Sequence, residues 1–171
     1  MPVDVMIRPF TKELDFEKAL VDLLPQHGWE APVIMNPTEE DLIKNWAAII
    51  FKNNRERDRL SDYPLTDSEM QQIIAKVDAL NSPYEVNKFI QGDVNHDAVC
   101  IRRDNPNDLL NCGKEVYLRL FNPREIHAGQ SDYQIVRQPR FDTAHPLAST
   151  RRGDVMLLIN GMPLIHIMAR L

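Results

Sequence analysis

The sequence predicts an α/β (α+β) fold, with helices first and a mixed, mostly antiparallel sheet after them. Three observations carry this. Apolar residues recur at three- and four-residue spacing through the first half. In the second half they alternate or run continuously, as in strands. Asn160-Gly161, between two apolar runs, is a strong hairpin turn signal.

The elements follow in order. Asp15 to Leu24 carries Phe16, Ala19, Leu20, Leu23 and Leu24 as an amphipathic stripe, ended by Pro25 and Gly28. Thr38 can N-cap a second helix, with Glu39, Glu40 and Asp41 in the first turn where the helix dipole favours acids. Its stripe is Leu42, Ile43, Trp46, Ile49 and Ile50, and the mixed-sign run Lys52 to Arg59 reads as a solvated helix end. Thr66-Asp67-Ser68-Glu69 is a capping box ahead of Met70, Ile73, Ile74, Val77 and Leu80. Ser82-Pro83-Tyr84-Glu85 is another, with Pro at the first helical position. These are four helices before Gly92, and all their stripes read as core.

Strands are then expected at Ala98 to Ile101 and at Glu115 to Phe121, where Val116, Leu118 and Leu120 share a face. Another is expected from Tyr133 and Ile135 towards Phe141, broken by Pro139. Val155 to Ile159 is a continuous apolar run, as in a strand buried on both sides, and Leu164 to Met168 is its hairpin partner. The reading is one domain over 1–171, with a helical lobe at about 38–90, possible as an insertion over Ser61 to Phe89, and a sheet at about 94–171.

Composition excludes several classes. With 43% apolar and 26% charged residues, the chain can bury a core and is not of the disordered kind. A net charge of −5 means that nucleic-acid contact has to come from a local basic face. Cys100 and Cys112 make neither a disulfide framework nor a Cys-x-x-Cys zinc site, and read as thiols in a reducing cytosol. Met1 to Phe10 is interrupted by Asp4, Arg8 and Pro9, unlike a signal peptide, and no apolar run reaches the roughly 20 residues of a membrane helix. The expected location is cytoplasmic, with no membrane partner. There is no Gly-x-x-x-x-Gly-Lys-Ser/Thr loop, Gly-x-Ser-x-Gly elbow or His-Glu-x-x-His helix, and the five histidines have no ligand spacing.

The informative stretch runs from Arg151 to Arg170. Asp154 opens one strand, Asn160-Gly161-Met162-Pro163-Leu164 turns the chain, and the partner strand returns residues 168 to 170 beside Asp154. On residue type alone, an Asp after Gly at a strand start is a turn residue. The hairpin, however, resembles the central hairpin of the nuclease region of type I restriction enzyme R subunits, with its Asp…Glu-x-Lys signature. Tyr133 to Phe141, Arg102 to Pro106, Glu115 to Leu118 and the helix around Asn45-Trp46 extend the resemblance to most of the chain from about Asp41.

The resemblance implies a restriction-endonuclease-like fold and Mg²⁺-dependent cleavage of double-stranded DNA. It also implies an ATP-driven motor further along the full-length subunit, and methylation and specificity subunits as partners. ATP would serve only the absent motor domains. The chemistry fits the signature. A hard cation needs converging oxygen ligands, and it both neutralises the scissile phosphate and activates water. A Lys two residues past the Glu lies on the same side of the strand.

By this resemblance Asp154 is the metal-binding and catalytic Asp, while Met168 and Arg170 occupy the Glu and Lys positions. Met168 offers a soft thioether in place of a carboxylate, and Arg170 keeps charge but not the geometry of Lys. The expectation is a cleavage-dead nuclease fragment with an altered or truncated C-terminus. Glu17 is a further metal-ligand candidate, against the plain alternative of a solvent-facing helical Glu. Arg137, Arg140, Arg151 and Arg152 either contact DNA phosphates or form a basic patch that balances nearby acids. The rival to the nuclease reading is a non-catalytic DNA-binding or subunit-docking module. A stand-alone nuclease is a third reading, opposed by the incomplete acidic set.

Overall fold

Acidic Glu13 and Asp15 in the first turn favour the opening helix, α1 (Glu13–Leu23). The structure, a computed structural model, describes residues 12–91, 98–121, 131–141, 151–152 and 154–168. A 3-10 turn over Leu24–His27 follows α1 and closes on Gly28, whose φ of 90° is the left-handed conformation that suits glycine. Strand β1 (Glu30–Met35) comes next, in a half where only helices were expected. Pro32 hides it, because proline cannot donate to a ladder, and an edge strand tolerates that. β1 lies at the edge of the four-stranded sheet, with its register shifted between Glu30 and Ile34.

Helices α2 (Glu39–Asn53), α3 (Asp67–Asp78) and α4 (Pro83–Gln91) match the helical periodicity. Trp46, Ile49 and Ile50 are the buried stripe of α2. The first capping box forms in full: Thr66 Oγ1 accepts from the Glu69 N–H at 3.2 Å, and Glu69 Oε2 accepts from the Thr66 N–H at 2.9 Å. At α4, Ser82 Oγ accepts from the Glu85 N–H, but Glu85 returns to the Asn81 N–H, one residue before the expected partner.

The remaining strands are β2 (Val99–Arg102), β3 (Glu115–Leu118), β4 (Tyr133–Arg137), β5 (Arg140–Phe141), β6 (Arg151–Arg152), β7 (Val155–Ile159) and β8 (Met162–Ile167). The main sheet has the order β1-β4-β7-β8 and is mixed: β1 and β4 run parallel, with Ile34 opposite Val136, while the two-residue turn makes β7 and β8 antiparallel. Two antiparallel pairs, β2 with β3 and β5 with β6, stand apart from it. Val155, Met156, Leu157 and Leu158 are all buried, as a strand covered on both faces requires.

The chain forms two compact units that cut across the expected lobe and sheet. The first holds 1–39, 133–158 and 163–171. Its core is Ile135, Val155 and Leu157, packed by Leu20, Val21 and Leu24 of the N-terminal helix and turn, and by Val33 and Ile167. The α1 face is therefore rotated from the predicted stripe. Leu23 is 47% exposed, and the inward positions are 17, 20, 21 and 24, which puts Glu17 on the core side.

The second unit holds 40–132 and 159–162, so the β2–β3 pair belongs with the helices. Leu60, Ile73 and Leu118 are fully buried in it. The run after α2 is not simply a solvated end. Asn54 is fully buried, donating from Nδ2 to the carbonyls of Ile50 and Arg119 and accepting the Arg119 N–H on Oδ1. One side chain thus pairs with both backbone groups of Arg119, as a strand neighbour would. The unit also buries Arg103 between Glu69 (2.6 Å) and Asp108 (3.2 Å).

Candidate functional site

The hairpin turn is specified by chemistry at two positions. Asn160 has a φ of 52° and Gly161 of 82°, as a two-residue primed turn requires. Glycine is also demanded by space: a Cβ at Gly161 would lie 2.8 Å from Trp46 Cα. Counting outward from Ile159 opposite Met162 sets Asp154 opposite Ile167, with Met168 next along.

Asp154 is half-buried at the opening of β7, and its carbonyl accepts the backbone N–H of Gln138 at 2.8 Å. Glu17 enters the same neighbourhood from α1. It is 4% exposed, contrary to the solvent-facing alternative. Its Oε2 accepts from Arg137 Nε and from Gln138 Nε2, both at 3.3 Å. Gln138 therefore connects the two acidic candidates, to Glu17 by its side chain and to Asp154 by its backbone.

Sequence reasoning missed Gln138. Its φ of 51° is a strained, left-handed value for a residue with a side chain. The following Pro139 signals an extended residue instead, so nothing local announces this conformation.

The other candidates lie as follows. Met168 follows β8 and is 59% exposed, while Arg170 falls outside the described residues. Arg140 is exposed; its backbone pairs with Arg152 across β5 and β6, where Phe141 pairs with Arg151. Its N–H donates to the Pro37 carbonyl, and a parallel bridge joins it to Thr38. Arg137 is engaged with Glu17 at an ion-pair distance of 3.3 Å.

Mg²⁺ asks for several hard oxygen ligands in near-octahedral array. Met168 supplies sulfur where the resemblance implies a carboxylate, and Glu17 Oε2 already accepts from two donors. Among the described residues, no three His, Cys, Asp or Glu side chains gather where they could hold a metal. The residues present do not fit that ion.

Fold and site together define an α/β protein in which a β-hairpin forms one side of a four-stranded sheet, with an aspartate at the hairpin's opening and a buried glutamate on the helix packed against the sheet. The chain belongs to the family of type I restriction enzyme R protein N termini, whose sequence pattern matches residues 10–167. It is similar to a type I restriction enzyme endonuclease subunit of Staphylococcus saprophyticus, 29% identical over 92% of this chain and 14% of the relative. Type I restriction enzyme endonuclease subunits of Staphylococcus aureus strains are 27% identical over the same shares. The chain thus spans about 14% of the length of the curated relatives it matches. Among the described residues, no helix is long and apolar enough to cross a membrane.

Proposed function

We propose that this chain is the endonuclease region at the N terminus of a restriction-enzyme R subunit, retaining the fold and the hairpin aspartate but not the cleavage chemistry. In this reading, a subunit with the complete Asp…Glu-x-Lys set cuts double-stranded DNA with Mg²⁺. An ATP-driven motor coupled to the nuclease would deliver the DNA in the cytoplasm, in complex with methylation and specificity subunits. The carrying observation is the hairpin: Asp154 immediately precedes β7, Asn160-Gly161 makes the turn, and Met168, at the position the resemblance gives to Glu, directly follows β8. A thioether there leaves Asp154 without the second carboxylate.

Incubation of the isolated chain with Mg²⁺ and supercoiled plasmid tests this. Intact plasmid is expected, and robust cutting would contradict the role given to Met168. A second reading, a DNA-binding module, is favoured by the placement of Arg140, Arg151 and Arg152 on one short ribbon. Binding to phosphates there would weaken with salt and be indifferent to sequence. Salt-dependent DNA binding that survives Asp154→Ala supports that reading. Binding lost with Asp154→Ala, or none at low salt, removes it.

A further inference from the structure

We infer that Glu17 is a positioning residue whose counter-ion is the Arg137 guanidinium, so that an internal cation stands where a metal ion would otherwise be needed. The argument starts from burial. Glu17 is on the core side of α1 and 4% exposed, and a carboxylate in such a place requires opposite charge and hydrogen bonds. Both are present. Arg137 Nε and Gln138 Nε2 converge on the same oxygen, Oε2. At 3.3 Å each, the two bonds are longer than a tight charge-assisted bond, so the pair acts through convergence and partial burial.

The backbone delivers these donors. Arg137 ends β4, with its Cα paired to that of Met35 in β1, and its carbonyl accepts the Asn36 N–H at 2.9 Å. Gln138 then turns into the left-handed region, which lets its side chain reach Glu17 while its N–H reaches the Asp154 carbonyl. Glu17 therefore holds the turn that carries the opening of β7. The carboxylate compensates the strain at Gln138 by bonding the side chain that the strained backbone presents.

The consequence separates this role from metal ligation. Removing Arg137 alone strands a buried carboxylate, which is worse than removing both partners. A metal ligand would behave otherwise, since loss of Arg137 would free Glu17 for the ion. The inference concerns charge and geometry inside the fold and stands whether or not the chain cuts DNA. Its test uses neither DNA nor cleavage, so plasmid cutting by the chain would remove the proposed function and leave this result intact.

The experiment is thermal unfolding of wild type, Glu17→Gln, Arg137→Met, Arg137→Lys and the double variant Glu17→Gln/Arg137→Met. Each is measured with MnCl2 and with NaCl of matched ionic strength. The expected order places Arg137→Met lowest in Tm, Arg137→Lys above it, and the double variant also above Arg137→Met. Mn²⁺ should move wild type no further than matched NaCl. In folded Glu17→Gln, amide hydrogen exchange at Gln138 should accelerate, because that amide bonds Asp154. Overturning results are equally definite: a double variant that folds no better than Arg137→Met, a Mn²⁺-specific Tm rise in wild type that disappears in Glu17→Gln, or unchanged Gln138 exchange.

Discussion

Asn160 and Asp132 are joined by two reciprocal hydrogen bonds: the Asn160 N–H donates to the Asp132 carbonyl at 2.8 Å, and the Asp132 N–H donates to Asn160 Oδ1 at 3.0 Å. Asn160 Nδ2 also reaches the Leu120 carbonyl at 3.2 Å. The turn residue is thus a buried clamp as well as a turn former, and 5% exposed. Asn160→Ala loses both side-chain bonds and keeps an unfavourable positive φ. The expected loss is about 3 kcal/mol of stability by urea unfolding. Asn160→Gly, which tolerates the backbone, should lose about half as much. Equal losses in the two variants would argue that the conformation at Asn160 carries no strain.

Arg103 gives a second prediction. It is 1% exposed and bonds Glu69, Asp108 and the Tyr63 carbonyl. Arg103→Met leaves two buried carboxylates facing an apolar group. A buried pair broken on one side costs on the order of 3–5 kcal/mol, and the variant should unfold at far lower urea. Lys at this position keeps charge but cannot reach all three acceptors in one plane, so Arg103→Lys should recover only part of the loss. A near-neutral Arg103→Met would show that the network contributes little net stability.

These networks mark the limit of legibility. Local chemistry announced itself: Asn160-Gly161 became the hairpin turn, and Thr66 and Glu69 became a reciprocal cap. What local pattern could not reveal was which polar residues turn inward. Arg102 and Arg103 are adjacent and alike, yet Arg102 is exposed while Arg103 is buried. Glu17 and Asn54 were hidden likewise, because their partners lie 120 and 65 residues away. β1 was missed because Pro32 breaks its pattern, and Gln138 because its strained backbone is imposed by tertiary contacts. At the candidate site, the hairpin turn and the place of Asp154 just before β7 were legible. The link through Gln138 was not.

Asp104 supplies a pH prediction. The Thr66 hydroxyl donates to its Oδ1 at 2.5 Å, and this bond, ahead of one from Ser68, holds the Asp104 carboxyl below its ordinary value of 3.8. A carboxyl depressed on folding binds its proton more readily when unfolded. Its stabilising contribution is therefore complete above the ordinary value and is lost as pH falls through the folded one. Thr66→Val should raise the Asp104 midpoint in a carboxyl-resolved NMR titration, while Thr66→Ser, which keeps the hydroxyl, should leave it low. A midpoint unmoved by Thr66→Val would assign the depression to other partners.

The proposal that position 168 lacks a catalytic carboxylate makes the strongest claim about the site. If the end of β8 lacks only the signature side chains, restoring them should restore chemistry. Met168→Glu/Arg170→Lys supplies the carboxylate and the ammonium that the resemblance assigns to these two positions, a hard oxygen ligand for the ion and a positive charge for the transition state. Wild type is expected to leave supercoiled plasmid intact, and the double variant to nick it only with Mg²⁺ present. Asp154→Asn in that background should abolish the gain, since an amide is a far weaker ligand for a hard cation than a carboxylate. Nicking that survives Asp154→Asn would place the activity elsewhere. Persistent inactivity of a folded, restored variant would mean that the hairpin alone does not make the site. The engagement of Glu17 with Arg137 would then be the first feature to alter, because it commits the remaining acidic side chain to an internal partner.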